Sequence, residues 1–327
     1  MDYLKDLTMN VEDIVNYLAS DVVAVIGNNL GELNGVVPFS DCLVGDYKSK
    51  ISWVNEKNAS VNKGKSIVVG LLLINETSSD LIDNSFGVKV VVSNPRLAFQ
   101  KILAKWFSSR KAAMIESSAN IHPSVKMGEG CYVGHNVVIE EGCEVGLNCE
   151  ILHNSVVLKS TIIGNNVRIG ANCTIGNYGF GYELNDQNEY QLIEHLGNVV
   201  IHDNVELHNN TCIDRAVIGS TILRYNVKVD NLVHIAHGAI IEKNSLIIAH
   251  AMIAGSVRIG ENTWVSPGAL VKNKVAVGSN SLVGLGAVVL KDVSDNEVVI
   301  GNPSESINDY KKWSAIRKDL MLNKNKE

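Results

Sequence analysis

From Ile121 onward a large aliphatic residue returns at every sixth position, through Met127, Val133, Ile139, Val145, Ile151, Val157, Ile163, Ile169 and Ile175. Four residues after each of the first nine stands a small or β-branched residue: Val125, Cys131, Val137, Cys143, Cys149, Ser155, Thr161, Val167 and Cys173. The register resumes at Ile201, Leu207 and Ile213, shifts by four residues, and then holds from Leu223 to Val289. A period of six fits neither the 3.6 of a helix nor the alternation of a long strand. It is the signature of a hexapeptide β-solenoid, in which each hexad forms a short strand and a turn. Three hexads close a triangular coil of 18 residues, and stacked coils bury the first-position aliphatics in one apolar column.

The period also supplies geometry. Residues 18 apart stack about 4.8 Å from one another on the same face, which places His237 and Gly255 at one hexad position in adjacent coils. A candidate base thereby lies beside a candidate oxyanion site, a glycine with uncovered backbone. Gly128, Gly134, Gly146, Gly164 and Gly170 all follow a first-position aliphatic, where a turn needs room or positive φ. The period does not set the hand of the coils; the general rule for parallel crossovers predicts right-handed ones.

Two segments break the repeat. "GNYGFGYELNDQNEYQLIEHLGN" separates Ile175 from Ile201, and a shorter insertion after "CIDRAVIGST" puts Asp214 and Arg215 at the edge of an outward loop. Loops carried on a rigid scaffold are where binding residues concentrate. The first ~110 residues lack the period, and their elements suit a small α/β domain. "VEDIVNYLAS" reads as an amphipathic helix, "SIVVGLLLI" and "GVKVVVS" as buried strands, and "NPRLAFQKILAKWF" as a helix capped by Asn94 with Pro95 in its first turn. Past Val299 the chain leaves the solenoid at Pro303 and reads as a terminal helix with a frayed, Lys/Asn-rich end. The expected organisation is a mainly β protein: an α/β domain over 1–112, a parallel β-helix over 113–302 and a helical tail over 303–327.

Composition adds exclusions. A formal net charge of −6 without a basic block disfavours nucleic acid. The acidic start "MDYLKDLTMN" and the shortness of every apolar run argue against a leader or a membrane span, so a cytoplasmic protein is expected. Four of the six cysteines fall on packing positions and none forms a C-x-x-C pair, so neither disulfides nor a metal site is expected.

Together with the α/β domain, the segments "IHPSV", "MGEGCYVG", "GNYGFGYE", "EHLGNVVIHDNVELHNNTCIDRA", "VDNLVHIAHGAIIEKNSL" and "MIAGSVRIG" resemble the UDP-3-O-acylglucosamine N-acyltransferases of lipid A synthesis. The resemblance implies a left-handed parallel β-helix, a homotrimer with sites in the grooves between subunits, and no cofactor. It further implies acyl transfer from a thioester of acyl-carrier protein or coenzyme A to the amine of a nucleotide-linked amino sugar. On that likeness His237 is the general base, Gly255 supplies the oxyanion N–H, and Asp230 and Asn231 support imidazole and substrate. Trp53 would stack on the base with Asn55 and Lys57 beside it. Phe180, Tyr182, Asp214, Arg215 and His234 join the substrate-binding set. Asn58 stands where the family has a second aromatic, which makes a thymidine nucleotide thinkable beside uridine. Lys274 replaces a family histidine, where a lysine would hold a phosphate as a point charge. Two other readings compete: a zinc hydratase like the gamma-class carbonic anhydrases, with histidines from two subunits, and a non-catalytic solenoid that displays its faces to partners.

Overall fold

Two inward positions in each hexad build the solenoid. Two-residue strands such as Val138–Ile139, His234–Ile235 and Met252–Ile253 bury their second residue. Three positions later a residue in the left-handed region turns the chain onto the next face, as at Gly142, Gly238 and Ser256. The computed structural model describes residues 8–27, 31–108 and 110–324, with backbone alone from 319 onward. Most of the acidic opening segment and the last three residues of the expected tail lie outside the described residues. The chain divides into two compact units, Met1–Ser109 and Arg110–Glu327.

In the second unit the coils stack in parallel and in register: Lys126 pairs with Glu144, Val138 with Val156 and His234 with Met252. The three walls are sheets of 8, 11 and 9 strands. The coils wind left-handed, against the rule for parallel crossovers. That rule rests on a twisted strand feeding a helix that packs back on its sheet, whereas here two-residue strands meet tight corners whose turning residue is itself left-handed.

One wall buries Ile139, Val157, Ile175, Ile213, Ile235, Ile253, Val271 and Val289 in a single file, each contributing about 1.5–3 kcal/mol. The second inward position accepts Cys, Ser or Thr because a short side chain there donates to a backbone carbonyl, in most coils one of the adjoining coil and at Thr161 that of Leu158 in its own. Ser155 Oγ reaches Gly170 O at 2.7 Å, Ser245 Oγ reaches Gly260 O at 2.7 Å, and Cys149 Sγ reaches Gly164 O at 3.1 Å. All six cysteines are free thiols.

The glycines after the aliphatics are there for room and not for positive φ. A Cβ on Gly146 would lie 2.6 Å from the carbonyl carbon and oxygen of Gly164 in the next coil. Positive φ falls two residues later, on Asn136, Asn148, Asn166 and Asn172, because Asn tolerates this region best among residues with a side chain. Further along the corner that Asn148 and Asn166 turn, the asparagines bond in file, Asn226 to Asn244 at 3.0 Å, Asn244 to Asn262 at 3.3 Å and Asn262 to Asn280 at 3.2 Å.

The ladder continues across both insertions, with a register shift between Ile175 and Asn177 at the root of the long one. Thr174 pairs with Cys212 across the long one and Cys212 with His234 across the short one. The long insertion folds as an antiparallel hairpin, Tyr182–Leu184 against Tyr190–Leu192. The chain closes with a helix, Ile307–Lys324.

The first unit is a mixed sheet. Strand Ser66–Ile74 lies parallel to Asp46–Trp53 on one side and to Val88–Val92 on the other, and Val22–Ile26 runs antiparallel at the edge. Helices α1 (Val11–Leu18) and α4 (Pro95–Trp106) pack Ile14, Leu18, Ala98 and Ile102 on Leu71, Leu73 and Val90. Helices α2 (Phe39–Cys42) and α3 (Glu56–Val61) cover Val69, Leu72 and Ile74 on the other face. The Asn94 side chain caps α4 through the Leu97 N–H, with Pro95 in the first turn. No helix among the described residues is long and apolar enough to cross a membrane.

Gly146→Ala should lower the urea midpoint by the equivalent of about 1–3 kcal/mol, because the added methyl overpacks against backbone that has no freedom to yield. Asn148→Gly, two residues on, removes the strain of a positive φ and should change stability by less than about 1 kcal/mol. Equal losses in the two variants would reject this division of roles.

Candidate active site

His237 occupies the third hexad position after Ile235, just before the corner at Gly238. Its carbonyl accepts the Ser256 N–H at 2.9 Å, which ties its backbone to the next coil. There the equivalent residue is Gly255, and a Cβ built on it would lie 2.7 Å from both Cε1 and Nε2 of the imidazole. The ring therefore rests against the glycine, and any side chain would displace it.

Some third-position N–H groups donate to a side chain one coil on: Leu147 to Asn165 Oδ1 at 2.8 Å, Ala171 to Asn209 Oδ1 at 2.8 Å and Glu261 to Ser279 Oγ at 3.2 Å. Others, among them Glu141, His237 and Asn273 in the same column as Gly255, do not. Among the described residues nothing accepts a hydrogen bond from the Gly255 N–H. An unoccupied amide beside an imidazole supplies a donor for a developing oxyanion.

The long insertion folds back over this rung. Gly179 lies between two imidazoles: a Cβ there would be 2.9 Å from His237 Cβ and Cδ2 and 3.0 Å from His195 Nε2. His195 is 2% exposed, and its ring stands edge-on to His237 with centroids 5.6 Å apart. Burial, and secondarily the His195 ring, pushes the His237 imidazole below its ordinary value. On the wall leading to this corner, His234 Nε2 faces Asp214 Oδ2 at 3.5 Å. Burial lifts the Asp214 carboxyl to about 7 and, with help from His237, pushes His234 down. Desolvation outweighs the mutual attraction, so both groups are biased toward their neutral forms.

Of the residues singled out in the sequence, His237, Gly255, His234 and Asp214 converge on this region. Arg215 is 3% exposed, and its guanidinium donates to Gly176 O at 2.6 Å and Lys159 O at 2.8 Å. It anchors the root of the insertion to the solenoid. Asp230 and Asn231 occupy a different corner and do not support the imidazole within one chain. Asp230 Oδ1 accepts the Asn231 N–H at 2.7 Å and lies 3.7 Å from His208 Nδ1, while Asn231 Oδ1 accepts the Asn209 N–H at 3.1 Å. His250 turns that same corner at positive φ, its N–H donating to Asn231 O.

Lys274 turns the corner one coil beyond Gly255 at positive φ, its N–H donating to Gly255 O at 3.0 Å and its side chain exposed. Phe180, 90% exposed, and the exposed Tyr182 lie with ring centroids 5.0 Å apart at the base of the hairpin. In the first unit Trp53 ends its strand half-buried, with its ring 6.4 Å from Phe99. The Asn55 side-chain oxygen caps α3 by accepting the Asn58 N–H at 2.7 Å, which commits it to the helix; Lys57 is exposed in the first turn.

His195 escaped sequence reasoning. Its signal is a histidine within an otherwise polar insertion that also carries Gly179 and Gly181, and their meeting depends on how the insertion folds back. Among the described residues no three His, Cys, Asp or Glu groups converge to hold a metal ion.

Residues 142–177 match the model of the bacterial transferase hexapeptide family (six repeats). A UDP-3-O-acylglucosamine N-acyltransferase of Campylobacter lari is 42% identical over 226 residues, 65% of this chain and 70% of that one. The enzyme of the same name from Helicobacter pylori strain J99 is 36% identical over 60% of this chain and 62% of its own length. That from Christiangramia forsetii is 51% identical over 45% of this chain and 43% of its own. The last two alignments thus span less than two thirds of the relatives. Among solved structures, a UDP-N-acetylglucosamine acyltransferase from Bacteroides fragilis superposes with a TM-score of 0.54 at 27% identity, covering 59% of this chain and 73% of that one.

Asp214 gives a test of the burial. In the folded chain it keeps its proton up to about 7, whereas its ordinary value is 3.8. Between those values the native state binds the extra proton, so this residue's contribution to stability falls as pH rises through the window and is constant above it. Asp214→Asn cannot ionise, and its stability relative to the parent should grow between pH 4.5 and 7.5 by urea titration. A difference independent of pH would reject the raised value.

Proposed function

The chain belongs to the family of UDP-3-O-acylglucosamine N-acyltransferases, and from that premise we propose that it moves an acyl group from a carrier thioester to the amine of a nucleotide-linked amino sugar. The observation that carries the reading is the His237 imidazole lying against Gly255, whose N–H has no partner among the described residues. In the reaction the sugar amine attacks the thioester carbonyl while His237 Nε2 takes its proton. The carbonyl oxygen gains negative charge and accepts the Gly255 N–H. Collapse of the intermediate forms the amide, breaks the C–S bond and returns the proton from the imidazolium to the departing thiolate. An imidazole suits both transfers because its pKa lies near neutrality, and burial that keeps it low favours the free base.

The remaining residues take binding roles. Trp53 stacks on the base of a UDP- or dTDP-linked sugar, and Lys57 stands beside it. The exposed Lys274 amine, one coil beyond Gly255, meets a phosphate of the nucleotide sugar or of the donor. His234, held by Asp214, contacts the sugar, and Phe180 and Tyr182 border the acceptor site. The donor is acyl-carrier protein or coenzyme A in thioester form. The working assembly is a homotrimer with sites in the grooves between copies, a use that suits the exposed outward side chains of Met252, Trp264 and Leu270. The pathway served is lipid A or surface-polysaccharide synthesis in the cytoplasm.

His237→Ala should lower kcat for acyl transfer by about 10²–10⁴-fold without loss of fold; near-normal turnover would overturn the assignment. Gly255→Ala places a methyl group where the imidazole lies and should cost about 10²–10³-fold in kcat. The acid limb of kcat/KM for the parent should lie below the ordinary imidazole value of 6.5, and a limb above it would contradict the low His237 value.

A further inference from the structure

His195 is the one histidine of the site that is sealed from solvent, and its two nitrogens differ. Nδ1 lies 2.6 Å from the Ile193 carbonyl oxygen. A carbonyl only accepts, so this nitrogen carries the proton, and in the neutral ring Nε2 is a bare acceptor. That Nε2 is buried and has no hydrogen-bond partner. Leaving an acceptor of this kind unmade costs about 1–3 kcal/mol, so its retention calls for a partner that approaches from within the protein.

A neighbouring ring is that of His237. The point where a Gly179 Cβ would sit lies 3.0 Å from His195 Nε2 and 2.9 Å from His237 Cδ2. The two rings are nearly perpendicular, at 86°, with centroids 5.6 Å apart. Half a turn of the His237 ring about its Cβ–Cγ bond exchanges Cδ2 for Nδ1 on the edge that faces His195. A donor is then turned toward the buried acceptor, and Nε2 remains on the edge beside Gly255. Absence of a side chain at Gly179 keeps the space between the rings open.

Resting on the reading of His237 as base, we propose that His195 is its positioning residue: His195 Nε2 accepts the Nδ1–H of His237 and holds the tautomer whose Nε2 is free to take the amine proton. The chain of bonds runs from the Ile193 carbonyl through His195 to His237, the place a carboxylate fills where a base is oriented by a third group. Tyr178 braces the arrangement, its ring edge-on to His195 with centroids 5.6 Å apart. Two neutral imidazoles accomplish this without burying a charge, in keeping with the seal around His195.

The test separates this proposal from the assignment of the base. Nitrogen-15 NMR of histidine-labelled parent protein, with His237 identified by loss of its signals in His237→Ala, should show the Nδ1–H tautomer at His237. His195→Phe keeps an aromatic ring without an acceptor and should shift His237 toward the Nε2–H tautomer. It should also lower kcat about 10–100-fold, with KM for the nucleotide sugar changed less than 3-fold, the size of loss seen when groups that orient a metal-bound histidine are removed. His195→Gln, whose carbonyl can accept, should restore kcat to within a few-fold of the parent. A parent His237 in the Nε2–H form, or a tautomer unchanged in His195→Phe, overturns the proposal whatever the turnover of His237→Ala. If His195→Phe does not fold, the parent spectrum and the Gln variant still decide it: Gln with turnover as low as His237→Ala overturns the proposal.

Discussion

The ladder of backbone hydrogen bonds between successive coils is the constraint on which the molecule depends. It sets the rise between coils and holds every hexad position in file, so the inward aliphatics meet one another and the outward residues form columns. His237 and Gly255 are neighbours because each is third in its hexad, 18 residues apart. No recognition between the two side chains is needed to bring them together, since one of them has none. The geometry of this pair is inherited from the repeat, and what the sequence contributes at this rung is the choice of an imidazole followed by an empty position.

What the repeat cannot supply comes from the excursion between Ile175 and Ile201. Its hairpin stands on a root fastened by Arg215, whose guanidinium bonds two backbone carbonyls. From that root the chain passes Gly179 between the imidazoles and returns to bury its own His195. The rigid column and the folded-back insertion therefore have separate tasks. One fixes where the imidazole stands, the other closes its inner side and determines its electrostatic surroundings.

The solenoid was legible because its period is both strict and short. The hexad, the 18-residue coil, both interruptions and the packing role of Cys131, Cys143, Cys149 and Cys173 all follow from spacing alone. So did the pairing of His237 with Gly255. Hand was not legible from general topology, because the crossover rule concerns connections that these coils do not contain. The glycines were half read: spacing marks them as tight positions, and only packing shows that room is what they provide, with the left-handed turn borne by Asn two residues on. Arg215 illustrates a different limit. A charged residue at a loop edge looks like a ligand in sequence, and its burial against Gly176 and Lys159 is a property of the folded insertion. His195 could not be placed for the same reason, since no period connects it to His237.

The thiols that line the column have a chemical consequence. A cysteine reacts as its thiolate, and burial pushes the thiols of Cys143, Cys149 and Cys173 upward, that of Cys149 to about 11. Near neutrality they persist as un-ionised S–H groups doing the work that Ser155 and Ser245 do with hydroxyls. An interior rich in sulfur is for that reason shielded from oxidants and alkylating agents, and its architecture is indifferent to the redox state of its surroundings.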